Sequence, residues 1–247
     1  MISPVLLRVL RPLLTVSPAA KEGKKLVVVG SSFIGMEIVV TVLKRKLASI
    51  DVIGMEQVPF EASLGKEIGG AIQKVEQLPL SLAGQLLTLD VQYHESQGVK
   101  FHLSSKLERI IASESDPKFA TGVELTNKDG QKQNIEADFI VVGVGVSPAT
   151  DFLKQSDGFP QSALQKDGGV LVDEYLKVRG LEDVFAIGDI AVYPQLPHGG
   201  ERRIEHWNVA GNHGRAVGKT ISGDPAPFTK VPVFWSVREC PSLRITF

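Results

Sequence analysis

Lys25-Leu-Val-Val-Val-Gly30-Ser-Ser-Phe-Ile-Gly35-Met-Glu37-Ile is the stretch on which the reading of this 247-residue chain turns. A β-branched run stops at Gly30, and an apolar pattern of helical spacing (Phe33, Ile34, Ile38, Val39, Val42, Leu43) begins at once. A strand that hands its chain straight into a helix in this way makes a phosphate-binding turn. Gly30 permits the tight turn, Gly35 lets helix and strand pack closely, and the helix N-terminus offers N–H groups and positive dipole to a pyrophosphate. Ser32 stands where the fingerprint has its middle glycine, which weakens the motif without abolishing it. A second β-rich run, Ile50-Asp-Val-Ile-Gly-Met55, ends in Glu56, 26 residues after Gly30. That is close to where the acidic residue for the ribose hydroxyls of NAD is expected, so Glu56 favours NAD(H) over NADP(H). The plain alternative is a structural glycine turn with Glu56 a solvated carboxylate.

Working outward, 43% hydrophobic and 22% charged residues suit one large or two small folded domains. A net charge of −1 supplies no long-range pull on nucleic acid, and no basic stripe is interleaved with aromatics, so nucleic-acid binding is not expected. Cys240 is the single cysteine, which excludes an internal disulfide and a CxxC redox pair, and it cannot make a zinc site alone. No apolar run reaches the ~20 residues that span a bilayer, so no integral membrane segment is expected. Residues 1–20 contain Arg8 and Arg11 and no acid, as a mitochondrial presequence does, but Pro4, Pro12 and Pro18 limit helix there. The segment is read as a linker or a misplaced start, and the protein as cytoplasmic, with a mitochondrial location as the alternative.

Downstream, Gly65–Lys74 begins a second helix, and Val75–Gln92 is a leucine-rich, nearly uncharged stretch that reads as an insertion. Tyr93–Gly98 resumes a helix with a glycine C-cap, and Val99–Leu103 is a strand. Short alternating runs between Leu107 and Ile135, broken at Asp116-Pro117 and Asp129-Gly130, predict an antiparallel meander. Ala137–Val142 is a buried strand that runs into a second glycine turn, Gly143-Val-Gly145-Val-Ser-Pro148, or into a plain loop. Val170–Asp173 and Asp183–Ile187 are expected strands, the latter opening onto Gly188-Asp189. Glu205–Ile221 is an expected helix with Val209, Ala210, Ala216, Val217 and Ile221 apolar.

Taken in order, Gly30-Ser-Ser-Phe-Ile-Gly35-Met-Glu37, Gly143-Val-Gly145-Val-Ser-Pro148, Val184-Phe-Ala-Ile-Gly188-Asp189, Glu205-His206-Trp207 and Val233-Phe-Trp235-Ser236 resemble the pyridine nucleotide-disulfide oxidoreductase superfamily. Within it the pattern is most like apoptosis-inducing-factor-like and ferredoxin-reductase-type flavoproteins. The resemblance covers roughly residues 21–236 and implies an FAD-dependent oxidoreductase that takes hydride from NADH and passes electrons to an iron–sulfur or other acceptor protein. It implies a doubly wound α/β fold. Residues 21–150 would form a Rossmann-like NAD(P)-binding domain with an antiparallel crossover, and 151–236 the C-terminal half of an FAD-binding domain, followed by an atypical tail at 237–247. By the same resemblance Gly30, Ser32, Phe33, Ile34 and Gly35 form the NAD pyrophosphate turn, Glu56 accepts the ribose, and Glu37 approaches the nicotinamide. Gly143 and Gly145 line that pocket, and Gly188 and Asp189 meet the FAD ribitol chain. His206, Trp207 and Trp235 lie near the isoalloxazine, with Glu37 and Trp207 closest to the chemistry. Asp189 as a helix N-cap and the tryptophans as core residues are the structural alternatives. The missing CxxC separates the chain from the disulfide reductases.

The chain departs from the pattern in lacking the N-terminal FAD βαβ unit and the C-terminal interface domain, and in carrying the 75–92 segment. The expected consequence is an unpaired edge at Val184–Ile187, inviting a homodimer. A catalytically incompetent NAD(H)-binding fragment, or an interaction protein on a dead fold, are the alternative functions.

Overall fold

The structure, a computed structural model, describes residues 5–6, 18–61, 66, 95, 98–196 and 199–232. The helix expected from Gly65 lies outside these save for Lys66, as does that before Gly98 save for Glu95; the 75–92 segment, Trp235 and the 237–247 tail lie wholly outside. The chain divides into two compact units, the first ending at Gly145 and the second beginning at Val146.

In the first unit a five-stranded parallel sheet is ordered β1-β8-β2-β3-β4. Its strands are β1 (Val5–Leu6), β2 (Lys25–Val29), β3 (Ser49–Ile53), β4 (Val99–His102) and β8 (Phe139–Val142). Continuous Val and Ile runs are what a strand covered on both faces needs. Alternate residues divide between two layers. Leu26, Val28, Val52, Phe139 and Val141 pack with Met36, Val39 and Val42 of helix α1 (Phe33–Leu43). Val27, Val29, Ile53 and Ile140 face Val123, Leu125 and Ile135 of an antiparallel three-stranded sheet. That sheet comprises β5 (Lys106–Ala112), β6 (Ala120–Thr126) and β7 (Lys132–Glu136), the meander the turn signals predict. The architecture is Rossmann-type α/β with an antiparallel crossover layer. Within this first unit a polar pair sits in the sheet, where the buried Asp51 carboxylate hydrogen-bonds His102 Nε2 at 2.8 Å.

The second unit holds β9 (Val170–Leu171), β10 (Ala191–Pro194), β11 (Glu201–Arg203) and helix α2 (Trp207–Ile221), around a core that includes Val172, Leu176, Tyr193, Val209, Val217 and Phe228. Three expectations are corrected here. The Val170–Asp173 strand is only two residues long, with Val172 bridging Val178 alone. Val184–Ile187 is not a strand: Phe185 makes a single bridge to Lys177, while Val184 and Ile187 stay exposed. Asp183 takes a left-handed φ of 55°, so the chain turns tightly there, and the pairing beyond it is a single bridge long, with Val178 N–H donating to the Val184 carbonyl and Ala186 N–H to the Leu176 carbonyl. The edge strand on which the expected homodimer rested is therefore not formed in the described residues. Helix α2 starts at Trp207, not Glu205, because His206 is extended and caps it, its Nδ1 accepting from Asn208 N–H at 3.2 Å. Ile221 is exposed, and the inward stripe of α2 is Val209, Asn212, His213 and Val217.

Candidate functional site

In the first unit the two glycine turns meet. Gly30 has φ +112°, and its N–H donates to the Ile53 carbonyl at 2.8 Å. A Cβ at Gly30 would overlap the carbonyl oxygen of Gly143, and one at Gly35 would overlap the carbonyl oxygen of Gly30. Gly143 N–H in turn donates to the Val29 carbonyl at 2.7 Å. The β2–α1 turn, the end of β3 and the Gly143–Gly145 turn therefore converge at the carboxyl ends of β2, β3 and β8, where ligands of open α/β sheets sit. Side chains at Gly30 or Gly35 would close the space in which backbone approaches a phosphate, so the glycines present fit a dinucleotide.

Ser32 is the extended N-cap of α1; its carbonyl accepts from Met36 N–H at 3.0 Å, and its side chain makes no capping bond. The first turn of a helix leaves N–H groups without intrahelical acceptors, and the dipole adds positive character there. Phe33 packs its ring on Phe60 at 5.4 Å, and Ile34 is half-exposed beside it. Glu37 is half-buried in the second turn of α1, and its backbone carbonyl accepts from Thr41 Oγ1 at 2.7 Å. Glu56 is half-buried just past β3, with Oε2 accepting from Ser31 Oγ at 3.1 Å and its backbone carbonyl accepting from Ser104 N–H.

In the second unit Gly188–Ile190 forms a single 3-10 turn whose cap is Ile187, so Asp189 is not a helix N-cap. Its carboxyl is raised above the ordinary carboxylate range, first by partial burial and then by the negative charge of Glu205. Arg203 spans this region: it donates to the Asp189 carbonyl at 3.2 Å and pairs with Glu205 and, at 3.4 Å, with Asp167. Trp207 is 65% exposed, which overturns the reading of it as a core residue; its ring lies against His206, with centroids 5.7 Å apart. Trp235 lies outside the described residues.

Sequence reasoning missed three participants. Ser31 looked like a filler position between the glycine and the helix. Arg203 gave no signal. His213 is fully buried, with Nδ1 accepting the Gly188 N–H at 3.2 Å and Tyr193 and Phe228 edge-on at 4.5 and 4.7 Å. Burial pushes its pKa down to about 4, so it is neutral and carries its proton on Nε2. Its spacing from Val209 and Val217, on the buried stripe of α2, was the available signal.

The fold and the convergent glycine turns define a Rossmann-type dinucleotide protein. The chain belongs to the pyridine nucleotide-disulphide oxidoreductase family, whose model matches residues 9–214, and members of that family use FAD and NAD(P)H. It is 29% identical to human apoptosis-inducing factor 3, over 90% of this chain and 32% of that protein. It is 30% identical to rhodocoxin reductase of Rhodococcus erythropolis, over 85% of this chain and 42% of that protein. Among solved structures, the ferredoxin reductase for the CYP199A2 system of Rhodopseudomonas palustris superposes with a TM-score of 0.73 at 25% identity, covering 94% of this chain and 49% of that one. The chain thus spans between a third and a half of the length of these relatives.

Proposed function

We propose that the protein is an NADH-dependent flavoprotein reductase that delivers electrons to an iron–sulfur partner. The observation that carries this reading is the convergence of Gly30, Gly35, Gly143 and Glu56 at the carboxyl ends of three adjacent parallel strands. Bound FAD supplies two-electron acceptance from a nicotinamide hydride and one-electron release. The chain's own residues do the positioning. The N-terminus of α1 and the Gly30 turn hold the dinucleotide pyrophosphate, and Glu56 accepts from ribose hydroxyls, which supports NADH over NADPH. Glu37, one turn into α1, and the Gly143–Gly145 turn face the nicotinamide end. In the second unit Asp189 is the acceptor for flavin ribitol hydroxyls, and the N-terminus of α2, capped by His206, presents positive dipole to the flavin ring while Trp207 covers it. Hydride transfer between positioned rings depends mainly on distance and orientation, so no acid–base residue is required. Relatives named as reductases of ferredoxin and rhodocoxin support the iron–sulfur partner.

The test is an absorbance spectrum of the purified chain after incubation with excess FAD and desalting. A retained flavin band that bleaches on adding NADH is expected. Absence of flavin, with NADH still bound, leaves a dinucleotide-binding unit without the flavin chemistry and overturns the proposal for this chain.

A further inference from the structure

The Glu56 carboxylate sits at the end of a side chain with several rotatable bonds, half-open to solvent. Left to itself such a group relieves repulsion by swinging away, and so discriminates weakly between a ribose hydroxyl and a ribose phosphate. In this structure it is held. Ser31, 1% exposed, donates its hydroxyl to Glu56 Oε2 at 3.1 Å, and Ser31's own carbonyl accepts the Phe60 N–H at 3.0 Å. The backbone under Glu56 is also tied down: Gly54 N–H donates to the His102 carbonyl, Ser105 N–H to the Gly54 carbonyl, and Ser104 N–H to the Glu56 carbonyl. Gly54 is part of the arrangement, because a Cβ there would lie 2.6 Å from Ser31 Oγ and 3.0 Å from Glu56 Oε2.

We propose that Ser31 is a specificity-determining residue of the dinucleotide site. Its buried hydroxyl locks the Glu56 carboxylate in place, so that the negative charge cannot retreat from the 2′-phosphate of NADPH. Rejection of an unwanted ligand requires a repulsive group that stays where it is, and the Ser31 bond supplies that fixity. One Glu56 oxygen is engaged by Ser31, and the carboxylate retains further lone pairs for the ribose hydroxyls of NADH. The inference rests on the reading of this unit as a nicotinamide-dinucleotide site.

The experiment measures dissociation constants of the full chain for NADH and NADPH by the fluorescence of the reduced nicotinamide, with far-UV circular dichroism to confirm folding. Ser31→Ala is expected to narrow the NADH preference by about tenfold, mainly by tightening NADPH, since a hydrogen bond to a charged group is being removed. Glu56→Gln is expected to remove the preference, and Ser31→Ala added to Glu56→Gln to change nothing further, because the two act as one unit. Gly54→Ala, which drives a methyl between the pair while leaving both side chains present, is expected to narrow the preference as Ser31→Ala does. A Ser31→Ala protein that weakens both dinucleotides in parallel, or keeps the wild-type ratio while Glu56→Gln loses it, overturns the role of Ser31. Failure of the wild-type chain to bind either dinucleotide overturns the inference together with the reading beneath it.

Discussion

Gly35 and His213 show how single residues carry this structure. A methyl at Gly35 would collide with backbone, the Gly30 carbonyl, and press on Val28 at 3.3 Å, so no side-chain rotation relieves it. Gly35→Ala is expected to destabilise the first unit by about 3 kcal/mol, read as a fall in the urea midpoint at unchanged slope. Ser32→Arg places a long cationic side chain at the entry to the phosphate turn. It is expected to abolish NADH binding while leaving the circular dichroism spectrum intact, and unchanged affinity would show that the dinucleotide lies elsewhere. His213 has a folded-state pKa of about 4 against an ordinary 6.5. The unfolded chain therefore binds a proton that the folded chain refuses between those values. The stability it contributes is full above pH 6.5 and is lost as pH falls toward 4, a loss of about 3 kcal/mol. Chemical denaturation across that range should show this slope, and His213→Gln should flatten it. The glycines were legible because a strand, a glycine and a helical apolar pattern follow one another without a gap. Ser31 and His213 were not, since a serine or a histidine has the same appearance in sequence whether or not an acceptor or donor lies opposite it.

At the scale of elements, periodicity succeeded where burial is two-sided and failed where it is not. β2, β3 and β8 are short runs rich in Val and Ile, interrupted in β3 only by the buried Asp51, and each is sandwiched between α1 and the crossover sheet. The meander was legible from its turns. Val184–Ile187 has the same composition as a strand, yet the tight turn at Asp183 leaves it with one bridge. Helix α2 was placed correctly except at its start, where His206 serves as the cap, a role outside the usual Ser, Thr, Asp and Asn. This helix carries Gly214 and Gly218, at both of which a Cβ would meet nothing within 4 Å. Gly214→Ala and Gly218→Ala are each expected to stabilise the protein by about 0.5–1 kcal/mol through reduced backbone entropy of the unfolded chain, measured as a raised thermal midpoint. No described helix is long and apolar enough to cross a membrane.

For the whole molecule, ligand linkage is the sharpest expectation. A dinucleotide that binds the folded chain alone raises its stability by mass action, about 2.7 kcal/mol at one hundred times the dissociation constant. The thermal midpoint of the chain should climb with NADH concentration, climb less with NADPH, and lose its dependence on NADH in Ser32→Arg. By contrast the ion pairs Lys24–Asp138, Lys154–Asp151 and Arg179–Glu201 are solvent-accessible, and raising the salt concentration should move the midpoint little. What the amino-acid sequence determined by itself was, among the described residues of the first unit, the order of strands, turns and helix from Lys25 to Val142, the glycine at the head of the first turn, and the acid at the end of the next strand. These follow from local rules, the periods of 2 and 3.6 and the conformational freedom of glycine. What only the tertiary structure decided was which distant atoms meet: Gly143 against Gly30, Ser31 on Glu56, His213 beneath Gly188. Those contacts depend on which strand lies beside which in the sheet and on which rotamer fills the remaining space, and neither is set by the neighbours of a residue along the chain.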